Sequence, residues 1–197
     1  MKIFIINSAE PEERGFVDPI KEALTGMNLD IEVREWREIP DDFDKDIYDA
    51  IIISASPKGD NSNFENRIKS FQWLKTTQKP VLGICAGHQF IGYIFGSDLI
   101  QNREMEDGIS SVQIETNDPI FKGYEHEFEV EQHHNDSITL PDGFELLASS
   151  AQCKVQAIRH KERPIYSVQW HAERSNPEII RNFVAIAKGF QTSANRV

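Results

Sequence analysis

Cysteine is scarce in this chain, with Cys85 and Cys153 the only two among 197 residues. Two separate thiols cannot make a disulfide framework, so the sequence predicts free thiols in a reducing compartment, the cytoplasm. Basic runs are also missing. With 21 Lys and Arg against 32 Asp and Glu, the formal charge is −11, and no cluster is long enough to follow a phosphate backbone, which excludes nucleic acid as a general partner. No apolar run approaches the length of a membrane span, and the opening "KIFIIN" is too short for a signal peptide, so no membrane partner is expected. There is no Gly-x4-Gly-Lys-Ser/Thr, and hence no phosphate-cradling loop of that type. Repeats and low-complexity tracts are absent, and no linker divides the chain, so residues 1–197 read as one domain.

What is present alternates in period. "KIFIIN" is a buried strand by length and β-branching, Phe16, Ile20 and Leu24 recur at helical spacing, and "DIEVREW" reads as a second strand. "DAIIISAS" is a third, Phe64, Ile68, Phe71 and Leu74 share one helical face, and "KPVLGI" is a fourth strand leading to Cys85. This β-α-β-β-α-β order predicts an α/β protein of three layers, with a mostly parallel central sheet and helices on both faces. From about Gly108 the texture changes. "ISSVQIE", "HEFEVEQ", "FELLASS", "KVQAIRH" and "IYSVQW" predict a smaller antiparallel or mixed region, closed by a helix over "NPEIIRNFVAIAKGF". The final "QTSANRV" has no regular apolar pattern and is expected to fray. The acidic "EPEERG" and "DDFDKD" read as solvated loops or as faces toward a basic partner.

Cys85 sits in Gly83-Ile84-Cys85-Ala86-Gly87, at the carboxyl end of a predicted parallel strand, where open α/β sheets carry ligands. Most free cysteines are small buried hydrophobes, and a structural turn would also use these glycines. The alternative is a nucleophile on a sharp strand-to-helix turn, which needs glycine on both sides because side chains there collide with backbone. A thiol nucleophile also needs a base, and the base an orienting group. "VQWHAE" offers His171 and Glu173 where a later strand ends. Alone each would read as a surface residue, but together with the turn they make a candidate triad. Cys153 has no neighbouring base and reads as a packed core thiol. His126, His133 and His134 lack metal-ligand spacing, so no metal is expected.

These stretches together resemble the class I, triad-type glutamine amidotransferases. The resemblance runs over nearly the whole chain, through "SASP", "VLGICAGHQFIGYIFG", "HHNDSITLPDGFELLASS", "CKVQAIRHKERPIYSVQ" and "VQWHAE". It implies a flavodoxin-like fold and hydrolysis of L-glutamine to glutamate and ammonia without a cofactor. Cys85 would be the nucleophile forming a γ-glutamyl thioester, His171 the acid and base, and Glu173 the group orienting it. The oxyanion hole would combine the backbone amides of Ala86 and Ser56. Gln89 would help hold the bound glutamine, and the backbone from His134 through Asn135 to Asp136 would read its α-amino and carboxylate groups. A separate synthetase subunit, of guanylate-synthetase type, would take the ammonia. The chain departs from the pattern at Ala55-Ser56, where many members have a glycine pair, at Ala172, which stands in place of proline in His-Pro-Glu, and in lacking a "DNGGQ"-like start. Two other readings fit the same residues: a stand-alone γ-glutamyl hydrolase or amidase, and a catalytically silent binding or regulatory subunit.

Overall fold

The computed structural model describes residues 1–10, 14–40, 42–57 and 64–194. Parts of both acidic stretches, at 11–13 and 41, and the last three residues lie outside the described residues. Strand β1 (Lys2–Asn7) leads through α1 (Asp18–Ala23) to β2 (Asp30–Glu35), and β3 (Ala50–Ile53) leads through α2 (Phe64–Ser70) to β4 (Val81–Ile84). After α3 (Ala86–Ile94) come β5 (Leu99–Ile114), β6 (Glu127–Ile138), β7 (Phe144–Ser150), β8 (Ala157–His160) and β9 (Ile165–Val168). Helices α4 (Ala172–Ser175) and α5 (Pro177–Ala194) follow, the second reaching into the segment expected to fray.

The nine strands among the described residues form one sheet, in the order β2-β1-β3-β4-β9-β8-β7-β5-β6. The expected parallel sheet and antiparallel or mixed region are both present, but as parts of one sheet, so that sheet is parallel over only part of its width. The four pairings from β2 to β9 are parallel, the four from β9 to β6 are antiparallel, and the two zones are continuous. The junction is β9, which pairs in parallel with β4 on one side and antiparallel with β8 on the other. β5 also begins at Leu99, well before the predicted change at Gly108. Its first part is polar and half exposed, with a bulge between Gln101 and Glu106 and positive φ at Asn102.

The central strands are apolar on both faces because helices cover both. Ile3, Ile5, Ile52, Leu82 and Val168 pack with α1 and α5 through Ile20, Ala23, Ile180 and Phe183. On the other face Phe4, Ile6, Ile51, Ile53 and Val81 pack with α2 and α3 through Ile68, Phe90 and Ile91. The three layers expected from the alternation are present. The arrangement brings the carboxyl ends of β3, β4 and β9 side by side. No helix among the described residues is long and apolar enough to cross a membrane.

Candidate active site

Cys85 occupies the turn between β4 and α3 with φ 49° and ψ −99°, a conformation that costs a non-glycine residue energy and persists only when its surroundings enforce it. They do so at close range. A Cβ on Gly83 would lie 2.5 Å from the Gly87 carbonyl oxygen, and one on Gly87 would lie 2.6 Å from the Ile53 carbonyl oxygen. The glycines thus let α3 start directly against β3 and β4. The Cys85 N–H donates to Val168 O at 2.9 Å, which ties the turn to β9. Cys85 is 5% exposed. Ala86 is the first residue of α3, so its amide is one of the N–H groups that the helix itself leaves without an intrahelical partner.

His171 follows β9 and precedes α4, with its backbone N–H donating to Glu131 O on β6. Its Nδ1 lies 2.7 Å from Glu173 Oε1, inside the protein, which fixes the Nδ1–H tautomer and leaves Nε2 for chemistry. Nε2 makes no hydrogen bond of its own. Burial alone would favour neutral imidazole, but the charge of Cys85, followed by Glu173, outweighs it and pushes the His171 pKa up to about 10. Phe16 and His133 stand against the ring, with centroids 6.0 and 6.2 Å away, and Arg174 lies over Phe16. Ala172 is buried, and its N–H donates to Trp170 O at 3.0 Å. A proline at this position would lack that bond.

A chain of amides reaches the thiol from α3. Gln89 Nε2 donates to Asp136 O at 2.9 Å and to Gln169 Oε1 at 3.3 Å. Gln169 Nε2 in turn donates to Cys85 Sγ at 3.7 Å. Both amide hydrogens of Gln89 are engaged within the protein, which leaves its Oε1 as the acceptor it can offer a ligand. Gln169 did not stand out as a site residue in the sequence. The available signal was a polar residue inside the otherwise apolar end of "IYSVQW", where a buried amide requires partners.

The loop after β3 is held from β1. Ser8 Oγ donates to Ser54 O at 2.5 Å, Ser8 N–H donates to Ser54 Oγ at 3.0 Å, and Ser54 Oγ donates to Ala55 O at 2.9 Å. The last bond sets the plane of the Ala55–Ser56 peptide and therefore the direction of the Ser56 N–H. Ser56 is buried and lies beyond the strand adjacent to β4.

Cys85, His171, Glu173, Ala86 and Gln89 are thus gathered at one sheet edge, with Ser56 on the neighbouring loop. Asp136 joins them through its backbone carbonyl, which accepts from Gln89 Nε2 and from the His134 ring at Nδ1. The side chains of His134 and Asp136 point into a separate buried cluster, where His134 Nε2 meets Glu106 at 3.3 Å and Asp136 Oδ1 accepts from the Asn102 N–H. Asn135 alternates to the other face of β6 and is half buried. Glu106, His134 and Cys153 bring ligand-type atoms within 4.8 Å of one another. The Glu106 carboxylate already accepts from Ser150 and Gln156. The Cys153 thiol is fully buried and pushed up by that burial, so it stays protonated. His126 is exposed, and His133 pairs with Asp107 instead.

Known proteins resemble this chain over most of its length. The glutamine-hydrolysing GMP synthase subunit of Thermoplasma acidophilum is 34% identical over 176 residues, spanning 80% of this chain and 88% of that protein. A crystal structure from the same organism, of a protein described as a candidate subunit of GMP synthase, superposes with a TM-score of 0.83 at 30% identity, covering 99% of this chain and 98% of that one. A glutamine amidotransferase from Thermotoga maritima, at 16% identity and a TM-score of 0.73 over 99% of this chain and 85% of its own, shares the fold. The family model "Glutamine amidotransferase class-I" matches residues 13–186, and the chain belongs to the class-I glutamine amidotransferase family.

Proposed function

We propose that this chain hydrolyses glutamine to glutamate and ammonia at Cys85, His171 and Glu173 and supplies the ammonia to a separate synthetase of the GMP synthase type. The observation that carries the catalytic part is the buried imidazole held at Nδ1 by Glu173, its Nε2 free of other bonds and its charge sustained by Cys85. An imidazolium beside a thiolate is the starting state of a thiol amidase.

The Cys85 thiolate attacks the side-chain carbonyl carbon of glutamine. The carbonyl oxygen becomes an oxyanion facing the Ala86 N–H and the Ser56 N–H. His171 Nε2 gives its proton to the amide nitrogen, the C–N bond breaks, and ammonia leaves a γ-glutamyl thioester. The now neutral imidazole takes a proton from water, the hydroxide adds to the thioester carbon, and collapse expels the Cys85 thiolate and releases glutamate. Glu173 keeps the tautomer fixed throughout. Gln89 Oε1 and the backbone from His134 to Asp136 form the polar surface for the amino-acid end of the substrate.

The partner part rests on relatives named as glutamine-hydrolysing subunits of GMP synthase and on a chain without a Gly-x4-Gly-Lys-Ser/Thr phosphate-binding loop. The test has two arms. A glutamine-derived electrophile followed by peptide mass spectrometry is expected to label Cys85, and labelling of Cys153 alone would overturn the catalytic assignment. Addition of a GMP-synthase-type synthetase subunit with its nucleotide substrates is expected to raise the glutaminase rate; no change at saturating synthetase would overturn the partner.

A further inference from the structure

Gln169 takes no part in the steps above, yet its amide touches the nucleophile. It is fully buried, and its backbone N–H is fixed to Gln156 O at 2.7 Å. Its side chain cannot be turned end for end without loss. Gln89 spends one amide hydrogen on Asp136 O and the other on Gln169 Oε1, so reversing Gln169 would set two N–H donors against each other and leave its oxygen facing sulfur. Asp136 O is in turn fixed by His134, whose Nδ1–H donates to it at 3.0 Å. The direction of the Gln169 N–H is therefore dictated, through Gln89, by the Asp136 carbonyl, which can only accept. Such a donor, aimed before the reaction at an atom that carries negative charge, stabilises that charge without reorganising.

We propose that Gln169 is a further catalytic residue, a hydrogen-bond donor to Cys85 that stabilises the sulfur as an anion. It acts twice in the glutaminase cycle, on whose assignment the inference rests. Before attack it favours the thiolate over the thiol. During thioester hydrolysis the C–S bond breaks with its electron pair on sulfur, and the same N–H receives the departing thiolate. Gln169 keeps its protons throughout. The proton that ammonia gains comes from His171, and the one His171 regains comes from water.

The test reads the thiol without substrate and then with it. Alkylation of Cys85 by iodoacetamide, followed by peptide mass spectrometry from mildly acidic to alkaline pH, reports the thiolate directly. Gln169→Ala is expected to move the alkylation profile to higher pH and to lower kcat about tenfold or more, with KM nearly unchanged. Gln169→Glu is almost isosteric and keeps the acceptor for Gln89. Its deficit relative to wild type is expected to widen as pH rises, because the carboxylate that forms beside sulfur opposes the thiolate. A packing role would not produce that pH signature. Circular dichroism melting establishes that the variants fold, and if Gln169→Ala fails to fold, Gln169→Glu decides. Alkylation profiles and kcat that superpose on wild type in a folded variant would overturn the inference while leaving glutamine hydrolysis intact. A wild-type chain that never hydrolyses glutamine but whose alkylation profile still moves in the variants would retire the glutaminase assignment and keep the Gln169–Cys85 contact.

Discussion

Among single residues, Cys85 and His171, the pair proposed to carry the chemistry, are electrostatically coupled. Cys85 and Glu173 both raise the His171 pKa against burial, with Cys85 the stronger. Removing the thiol must therefore let it fall. Cys85→Ala is expected to abolish glutamine hydrolysis with little loss of stability, since a small side chain leaves a small void, and to lower the His171 pKa from about 10 as read by imidazole nitrogen shifts in NMR. A His171 titration unchanged in Cys85→Ala would mean that the two side chains do not interact. The linked stability has a definite sign. A histidine held above its unfolded value stabilises the fold fully below about pH 6.5, and that contribution disappears as pH rises toward 10. Glu173→Gln should cost less activity than His171→Ala, because the orienting acid is the least indispensable member of such a unit. Steady-state kinetics of the two variants checks the order.

At the level of elements, α3 carries both the site and a liability. Its His88 is wholly buried and held neutral by that burial, with its pKa pushed down to about 3. The Nε2–H donates to Val155 O, and Nδ1 accepts from the Ser167 hydroxyl. Here the sign reverses. The unfolded chain takes up a proton below about pH 6.5 and the native chain does not, so stability falls as pH drops from about 6.5 toward 3. Denaturant melts are expected to show His88→Asn with a flatter acid limb than wild type, even if it is less stable at neutral pH. Gly87→Ala tests the start of the same helix. Its Cβ would meet backbone, not a side chain that can swing away, so a loss of at least ~2 kcal/mol is expected, together with displacement of Cys85. Near-native stability with full activity would contradict the close approach of α3 to β3. The strands flanking this helix were legible in the sequence because they are short apolar runs, and the turn was legible because glycine has few other reasons to bracket a cysteine. The start of β5 was not. Leu99–Gly108 faces solvent on much of its surface, interrupted by a bulge, and carries no period. Gln169 was equally hidden, since its value lies in Gln89 and Cys85, both far away along the chain.

For the whole molecule, the parallel and antiparallel zones meet at β9, a pairing of distant segments that no local pattern encodes. The same scale governs regulation. The Ala55–Ser56 peptide is pinned through Ser54 and Ser8, so any reorientation of the Ser56 amide on synthetase docking must break the Ser54 Oγ–Ala55 O bond. Ser54→Ala removes that restraint. It is expected to raise the glutaminase rate of the free chain and to shrink the stimulation by a synthetase. Equal stimulation of variant and wild type would detach this bond from gating. The central place of β9 also has a consequence for biosynthesis. A ribosome delivers β1, β3, β4 and the thiol early, but the acceptor for the Cys85 N–H, Val168, and the proposed base, His171, both come more than eighty residues later. Until β9 slides in beside β4, the nascent protein holds an unfinished sheet and an idle cysteine. The thiol gains its neighbours only after that late strand has emerged, so a chain broken off before it has no means of consuming the cell's glutamine.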